Sequence, residues 1–188
     1  MVEKPRWLSM RHFVTKEYLQ GLYMGQKQYE ICNTNLIDKG LMDSITECTI
    51  FASNLMRSRQ TVDYLCHHFK KIKFEVVYSE NLVERGMGDF EGNLKQELKK
   101  NDEFFLNGRL IVDKTPPNGE AFLDFKKRIE YFLPEICEKN TTKNVLIVSH
   151  LQVLRMIWFI MNKEYSLNKW YEINYNHGEI VEEFYGQK

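Results

Sequence analysis

Four short apolar runs recur along the chain: Arg6–Met10, Thr49–Ala52, Phe74–Tyr78 and Asn144–Ser149. The last is a continuous β-branched stretch and reads as a strand covered on both faces. Helical patterns lie between the runs. Residues 55–69 bring Leu55, Val62, Leu65, Cys66 and Phe69 towards one face. Residues 120–139 do the same with Phe122, Phe125, Ile129, Phe132, Leu133 and Ile136, after a start signal at Pro116-Pro117-Asn118-Gly119. Residues 151–161 are apolar nearly all round, which suits a helix packed inside the fold. Strands alternating with helices predict an α/β fold: a three-layer α/β/α sandwich with a mostly parallel central sheet. A final pair, Trp170–Tyr175 and Glu179–Tyr185, joined by Asn176-His177-Gly178, predicts an antiparallel hairpin at the sheet edge.

Residues 93–117 break the alternation. They are polar and lysine-rich, with Phe104-Phe105 in the middle and a break at Gly108. They are expected to form an excursion beside the sheet and the active site, within a single domain spanning residues 1–188. Phe104 and Phe105 read as core contacts of that excursion, with a lid over the substrate as the alternative. The 188 residues suffice for a sizeable core without disulfides or a structural metal. The 26 basic and 26 acidic residues balance, so no global field draws the chain to nucleic acid or to a membrane surface. Any anion must therefore be held by a local cluster. The four cysteines form no CxxC pair and are expected to be buried free thiols, with no metal and no cofactor implied. The longest apolar stretch, Val153–Met161, contains Arg155 and falls far short of the ~20 residues of a membrane helix. With no signal-peptide pattern, a cytoplasmic protein is expected. The oligomeric state stays open, a homodimer among the states allowed.

Ligands of open α/β sheets bind beyond the carboxyl ends of the strands. Two candidate strands end alike: one runs into Arg11-His12, the other into Ser149-His150. Were they neighbours, ~5 Å apart, both imidazoles would face one crevice. The second strand leads into Arg57, placed in the first turn of a helix, where free N–H groups favour an anion and disfavour a lone cation. The third leads into the glycine-rich segment 82–92, which brings Glu84 to the same edge. His67 and His68 read as complementing the negative end of their helix, His177-Gly178 as turn chemistry, and Arg155 as structural.

These motifs in this order resemble the histidine phosphatase superfamily (phosphoglycerate mutase-like). They are Arg11-His12, Leu55-x-Arg57-Ser58-x-Gln60-Thr61, the Leu82-x-Glu84 loop closing at Phe90-Glu91-Gly92, Pro117-Asn118-Gly119-Glu120 and Val148-Ser149-His150. The resemblance covers roughly residues 7–160 and implies a metal-independent phosphatase acting on a small phosphorylated metabolite. His12 would attack phosphorus and carry a phosphohistidine, which water then hydrolyses. Arg11 and Arg57 would clamp the phosphoryl oxygens and keep His12 neutral. His150 would donate to the same oxygens. Glu84 would protonate the leaving alkoxide and then activate water. The alternatives are a mutase that returns the phosphoryl group to a second hydroxyl, for which 188 residues is short, and a non-catalytic phospho-ligand-binding protein. Phe13 stands where the family usually has glycine: a positive φ would strain it, and otherwise its ring would wall the pocket. Tyr18 lies near the place of a family asparagine, and Leu151-Gln152 follow the second histidine where small residues are common.

Overall fold

The computed structural model describes residues 4–185. In chain order the elements are β1 (Trp7–Arg11), α1 (Lys16–Leu19), β2 (Glu47–Ser53), α2 (Met56–His68), β3 (Lys73–Ser79), α3 (Lys95–Leu98), β4 (Phe105–Leu106), β5 (Arg109–Leu110), α4 (Phe122–Asn140), β6 (Asn144–Ser149), α5 (Leu151–Asn162), α6 (Leu167–Glu172) and β7 (Ile180–Glu183). The main sheet has five strands in the order β3-β2-β6-β1-β7. β1, β2, β3 and β6 run parallel, and β7 closes the edge antiparallel to β1.

Strand side chains alternate between faces, and the two halves of the core sort accordingly. Trp7, Phe51, Val145 and Ile147 join Phe125, Ile129 and Phe132 of α4 and Val153, Leu154 and Ile157 of α5 on one side. Leu8, Met10, Ile50, Ala52, Leu146 and Val148 meet Val62 and Leu65 of α2 on the other. Central β6 is apolar at consecutive positions because helices cover both its faces. The result is the three-layer α/β/α sandwich. The register pairs Arg11 with Ser149, so His12 and His150 leave the sheet side by side.

Three expectations need correction. The first arm of the expected terminal hairpin is helical: α6 covers Leu167–Glu172, and only β7 is a strand, paired with β1. Trp170 and Tyr171 favour strands by propensity. Leu167, Trp170 and Tyr171 nevertheless follow i, i+3, i+4 spacing, and Trp170 is buried against Phe122 and Phe159. The four cysteines are all free, but only Cys48 is buried and Cys32 is exposed. Phe13 has no positive φ. Its ring does not wall a pocket: it lies in the α2-side core, edge-on to Tyr64 at 5.0 Å.

Residues 93–117 carry α3 and the small β4–β5 hairpin. Its turn, Asn107-Gly108, has φ of 51° and 71°, the pair of positive values that an Asn-Gly hairpin turn requires. Phe104 and Phe105 are buried with Met87 and Phe90, with Tyr23 packed alongside, as a satellite core rather than a lid.

Candidate active site

The carboxyl ends of β1, β2 and β6 converge, and with them Arg11, His12, Arg57 and His150, all buried. The rings of His12 and His150 lie 5.0 Å apart. His12 Nδ1 is 2.6 Å from the Phe13 carbonyl. A carbonyl only accepts, so the proton sits on Nδ1 and Nε2 carries the lone pair. Arg57 Nε donates to that Nε2 at 3.2 Å, while its two terminal nitrogens donate to Lys27 O at 2.8 Å and Gly25 O at 2.7 Å. His150 Nε2 lies 2.8 Å from Ser53 Oγ.

Burial, then the Arg57 guanidinium, pushes the His12 imidazole well below the ordinary histidine range. Burial followed by Arg57 and Arg11 does the same to His150. Both rings are therefore neutral at pH 7. Burial also lowers Arg57 to about 10. Glu84 moves the other way: burial raises its carboxyl, opposed by the Arg85 N–H bond and by Arg57 and Arg11.

Among the described residues neither Arg11 nor Arg57 is within ion-pair distance of a carboxylate. Among the described residues Arg11 Nε and His150 Nδ1 are buried without hydrogen-bond partners, and Arg11 Nη1 donates to Tyr175 O at 3.4 Å. An unpaired buried guanidinium is costly, and each such orphan calls for an explanation. An anion supplies one. A cavity of about 360 Å³ opens directly above Arg11, with Glu84 on its wall. Lys95, Lys99 and Arg109 of the excursion and Arg155 of α5 line it too, so its lining is strongly cationic. His12, Arg57 and His150 are not among the residues that line this cavity.

Gln60, Glu91 and Glu120 belong to the motifs quoted above, but the contacts they and their neighbours make are not readable from the sequence. Segment 23–31 roofs the cluster, held by Glu91 Oε1 accepting from Gln26 N at 3.0 Å and Met87 N at 2.9 Å, and by Gln60 Oε1 accepting from Ile31 N at 2.8 Å. Glu120 grips Arg128 at 2.6 and 3.0 Å and accepts from Gly86 N at 3.0 Å, bracing the loop that carries Glu84. His177, expected to serve only a turn, lies 5.0 Å from the His12 ring and is 2.8 Å through Nδ1 from the His12 carbonyl. Arg155 both donates to Ile173 O at 2.8 Å and lines the cavity. His67 and His68 stay apart: Nδ1 of the first is 2.7 Å from Asp63 O and the second stacks on Tyr64.

Comparison with known proteins bears on the family and the fold. The chain is 31% identical over 117 residues to a 2,3-bisphosphoglycerate-dependent phosphoglycerate mutase of Nitrobacter winogradskyi, a match covering 60% of this chain and 56% of that protein. The chain thus spans little more than half the length of that relative. It is 26% identical over 159 residues to the adenosylcobalamin/alpha-ribazole phosphatase of Escherichia coli, covering 80% and 75% of the two. Its fold matches that of the alpha-ribazole phosphatase of Shigella flexneri with a TM-score of 0.71 at 21% identity, over 94% of this chain and 89% of that one. The family's sequence pattern matches residues 16–186, and the chain belongs to the histidine phosphatase superfamily, branch 1.

Proposed function

We propose that the chain is a metal-independent phosphatase that hydrolyses a small phosphorylated metabolite through a phosphohistidine on His12. The observation that carries this reading is a buried imidazole lone pair beside two guanidiniums that, among the described residues, form no ion pair with a carboxylate. His12 Nε2 attacks phosphorus as the P–O bond to the alcohol breaks, and the leaving oxygen takes a proton from Glu84. Water, deprotonated by the Glu84 carboxylate, then displaces the imidazole and releases inorganic phosphate. Arg57 Nε donates to His12 Nε2 at 3.2 Å, so that bond must be exchanged for a phosphoryl oxygen as substrate enters, while the bonds to Gly25 and Lys27 leave each terminal nitrogen a second N–H to offer. Planar forks suit such oxygens. Arg11 Nε provides a further buried donor, and His150 Nδ1 another when Ser53 Oγ donates to its Nε2; fixed donors in a low-dielectric site stabilise charge developing in transfer.

The cationic lining favours substrates with a second anionic group. Relatives with mutase activity make phosphoryl transfer to a second hydroxyl the competing reaction. The test is a phosphate-release screen over sugar phosphates, phosphoglycerates, nucleotides and phosphopeptides, run with wild type and His12→Ala. Release that disappears in the variant supports the reading. Isomerised phosphoglycerate without net phosphate contradicts it in favour of a mutase. Equally negligible turnover in both proteins contradicts it in favour of a binding role.

A further inference from the structure

The peptide joining His12 to Phe13 is held along both edges. Its N–H donates to Thr61 Oγ1 at 3.0 Å, and the same hydroxyl donates to Arg57 O at 2.7 Å. Its carbonyl faces His177 Nδ1 at 2.8 Å. Because that partner is a carbonyl, His177 must be the donor, with its proton on Nδ1. Burial first, then Arg11, lowers the His177 imidazole to about 3, so it remains a neutral donor throughout the useful pH range. Its Nε2 is buried without a partner among the described residues, and its ring packs edge-on against Tyr18, centroids 4.3 Å apart.

The turn that carries His177 is fixed to β1. Gly178 N donates to Arg11 O at 3.0 Å, and Ile37 N donates to Gly178 O at 2.9 Å. Gly178 has φ +78°, and a Cβ there would lie 2.2 Å from Asn35 O and 3.0 Å from Phe13 Cδ1. Only glycine lets the turn pass this close behind Phe13. His177 therefore contacts the backbone immediately after the candidate nucleophile from a rigid support. Rotating the 12–13 peptide would change φ at Phe13 and move the Phe13 carbonyl, the acceptor that keeps the His12 proton on Nδ1.

The geometry points to His177 as a positioning residue: with Thr61 it clamps the His12–Phe13 peptide and so holds the His12 lone pair on Nε2, facing the reacting phosphorus. The kinetic half of this inference rests on the phosphatase reading; the tautomer half does not. The test pairs His177→Asn, which keeps an N–H near the place of Nδ1, with His177→Leu, which has a similar shape and no donor. Long-range 15N imidazole spectra read the His12 tautomer, and p-nitrophenyl phosphate hydrolysis reads kcat and KM. H177L is expected to mix the His12 tautomers and to lower kcat about 10- to 100-fold, the scale of a small misplacement of a reacting group, with KM nearly unchanged. H177N is expected to keep one tautomer and most of kcat. If H177L does not fold, His177→Ala replaces it. Unchanged tautomer and rate in H177L would overturn the inference, and so would equal losses in H177N and H177L, which assign the effect to packing on Tyr18. Wild type that hydrolyses no phosphoester, with the tautomer shifts as expected, sinks the phosphatase reading and leaves the clamp standing.

Discussion

Replacing Glu84 by glutamine separates proton donation from everything else the loop does. Glu84 Oε1 accepts from Arg85 N at 2.9 Å, a bond that the glutamine carbonyl can keep. The backbone around it is held independently: Glu84 O accepts from Gln26 Nε2 at 3.0 Å and Arg128 Nη2 at 3.2 Å. Arg85 is anchored to the carbonyls of Glu120, Val112 and Lys114 at 3.0, 2.6 and 2.8 Å. The variant should therefore fold with the same loop and lose only the transferable proton. A positioned acid contributes roughly 10²- to 10⁴-fold, about 3–5 kcal/mol of barrier. That loss should appear in kcat/KM for an alkyl ester such as glycerol phosphate, whose alkoxide leaves only with a proton. For p-nitrophenyl phosphate, whose phenolate needs none, kcat/KM should change less than about tenfold. kcat/KM reports only through the first irreversible step, phosphoryl transfer to His12, so the later role of Glu84 towards water does not enter. Equal losses for the two esters, or no loss for either, would refute the assignment of Glu84 as the acid.

The remaining predictions concern pH, charge and packing. His12 and His150 are buried and His177 half-buried, all neutral with lowered pKa, so below the unfolded value of about 6.5 the unfolded chain binds more protons. Each such imidazole then removes up to about 1.4 kcal/mol of stability per pH unit as pH falls, opposed by the raised carboxyls of Glu84, Glu183 and Asp38. In thermal unfolding between pH 6.5 and 4.5, H177N should therefore lose less stability per pH unit than wild type by up to about 1.4 kcal/mol. Equal pH dependence in wild type and H177N would contradict a neutral, shielded His177. Lys95→Ala should raise KM for bis-anionic esters by tenfold or more and for p-nitrophenyl phosphate by much less; an equal effect on both would remove Lys95 from the second-anion wall. Phe105→Ala removes a ring buried among Met87, Phe90 and Phe104 and should destabilise by about 3–5 kcal/mol in urea titration; a change under about 1 kcal/mol would mean that the satellite core contributes little.

Legibility in the sequence followed burial and locality. β6 was readable to the residue because helices on both faces demand an unbroken apolar run. The strand ends carrying Arg11-His12 and Ser149-His150 were readable because site chemistry follows directly where an apolar strand stops. The 170–175 segment misled because its aromatics favour a strand while i, i+3, i+4 packing onto Phe122 and Phe159 makes it helical. Phe13 looked anomalous only until Gly178 opened space behind its ring. His177 gave no local signal at all: its contact with His12 joins positions 165 apart, and only the antiparallel return of β7 beside β1 creates it. The neutral composition likewise concealed the clustering of Lys95, Lys99, Arg109 and Arg155 around one cavity.

The central claim is that His12 Nε2 becomes covalently phosphorylated during turnover, and acid-free quenching followed by peptide mass spectrometry tests it most directly. The account predicts one acid-labile, alkali-stable phosphoryl group on the peptide bearing His12, formed within a turnover and missing from His12→Ala. Label that persists in that variant, or turnover with no phosphorylated imidazole at any time point, would contradict it.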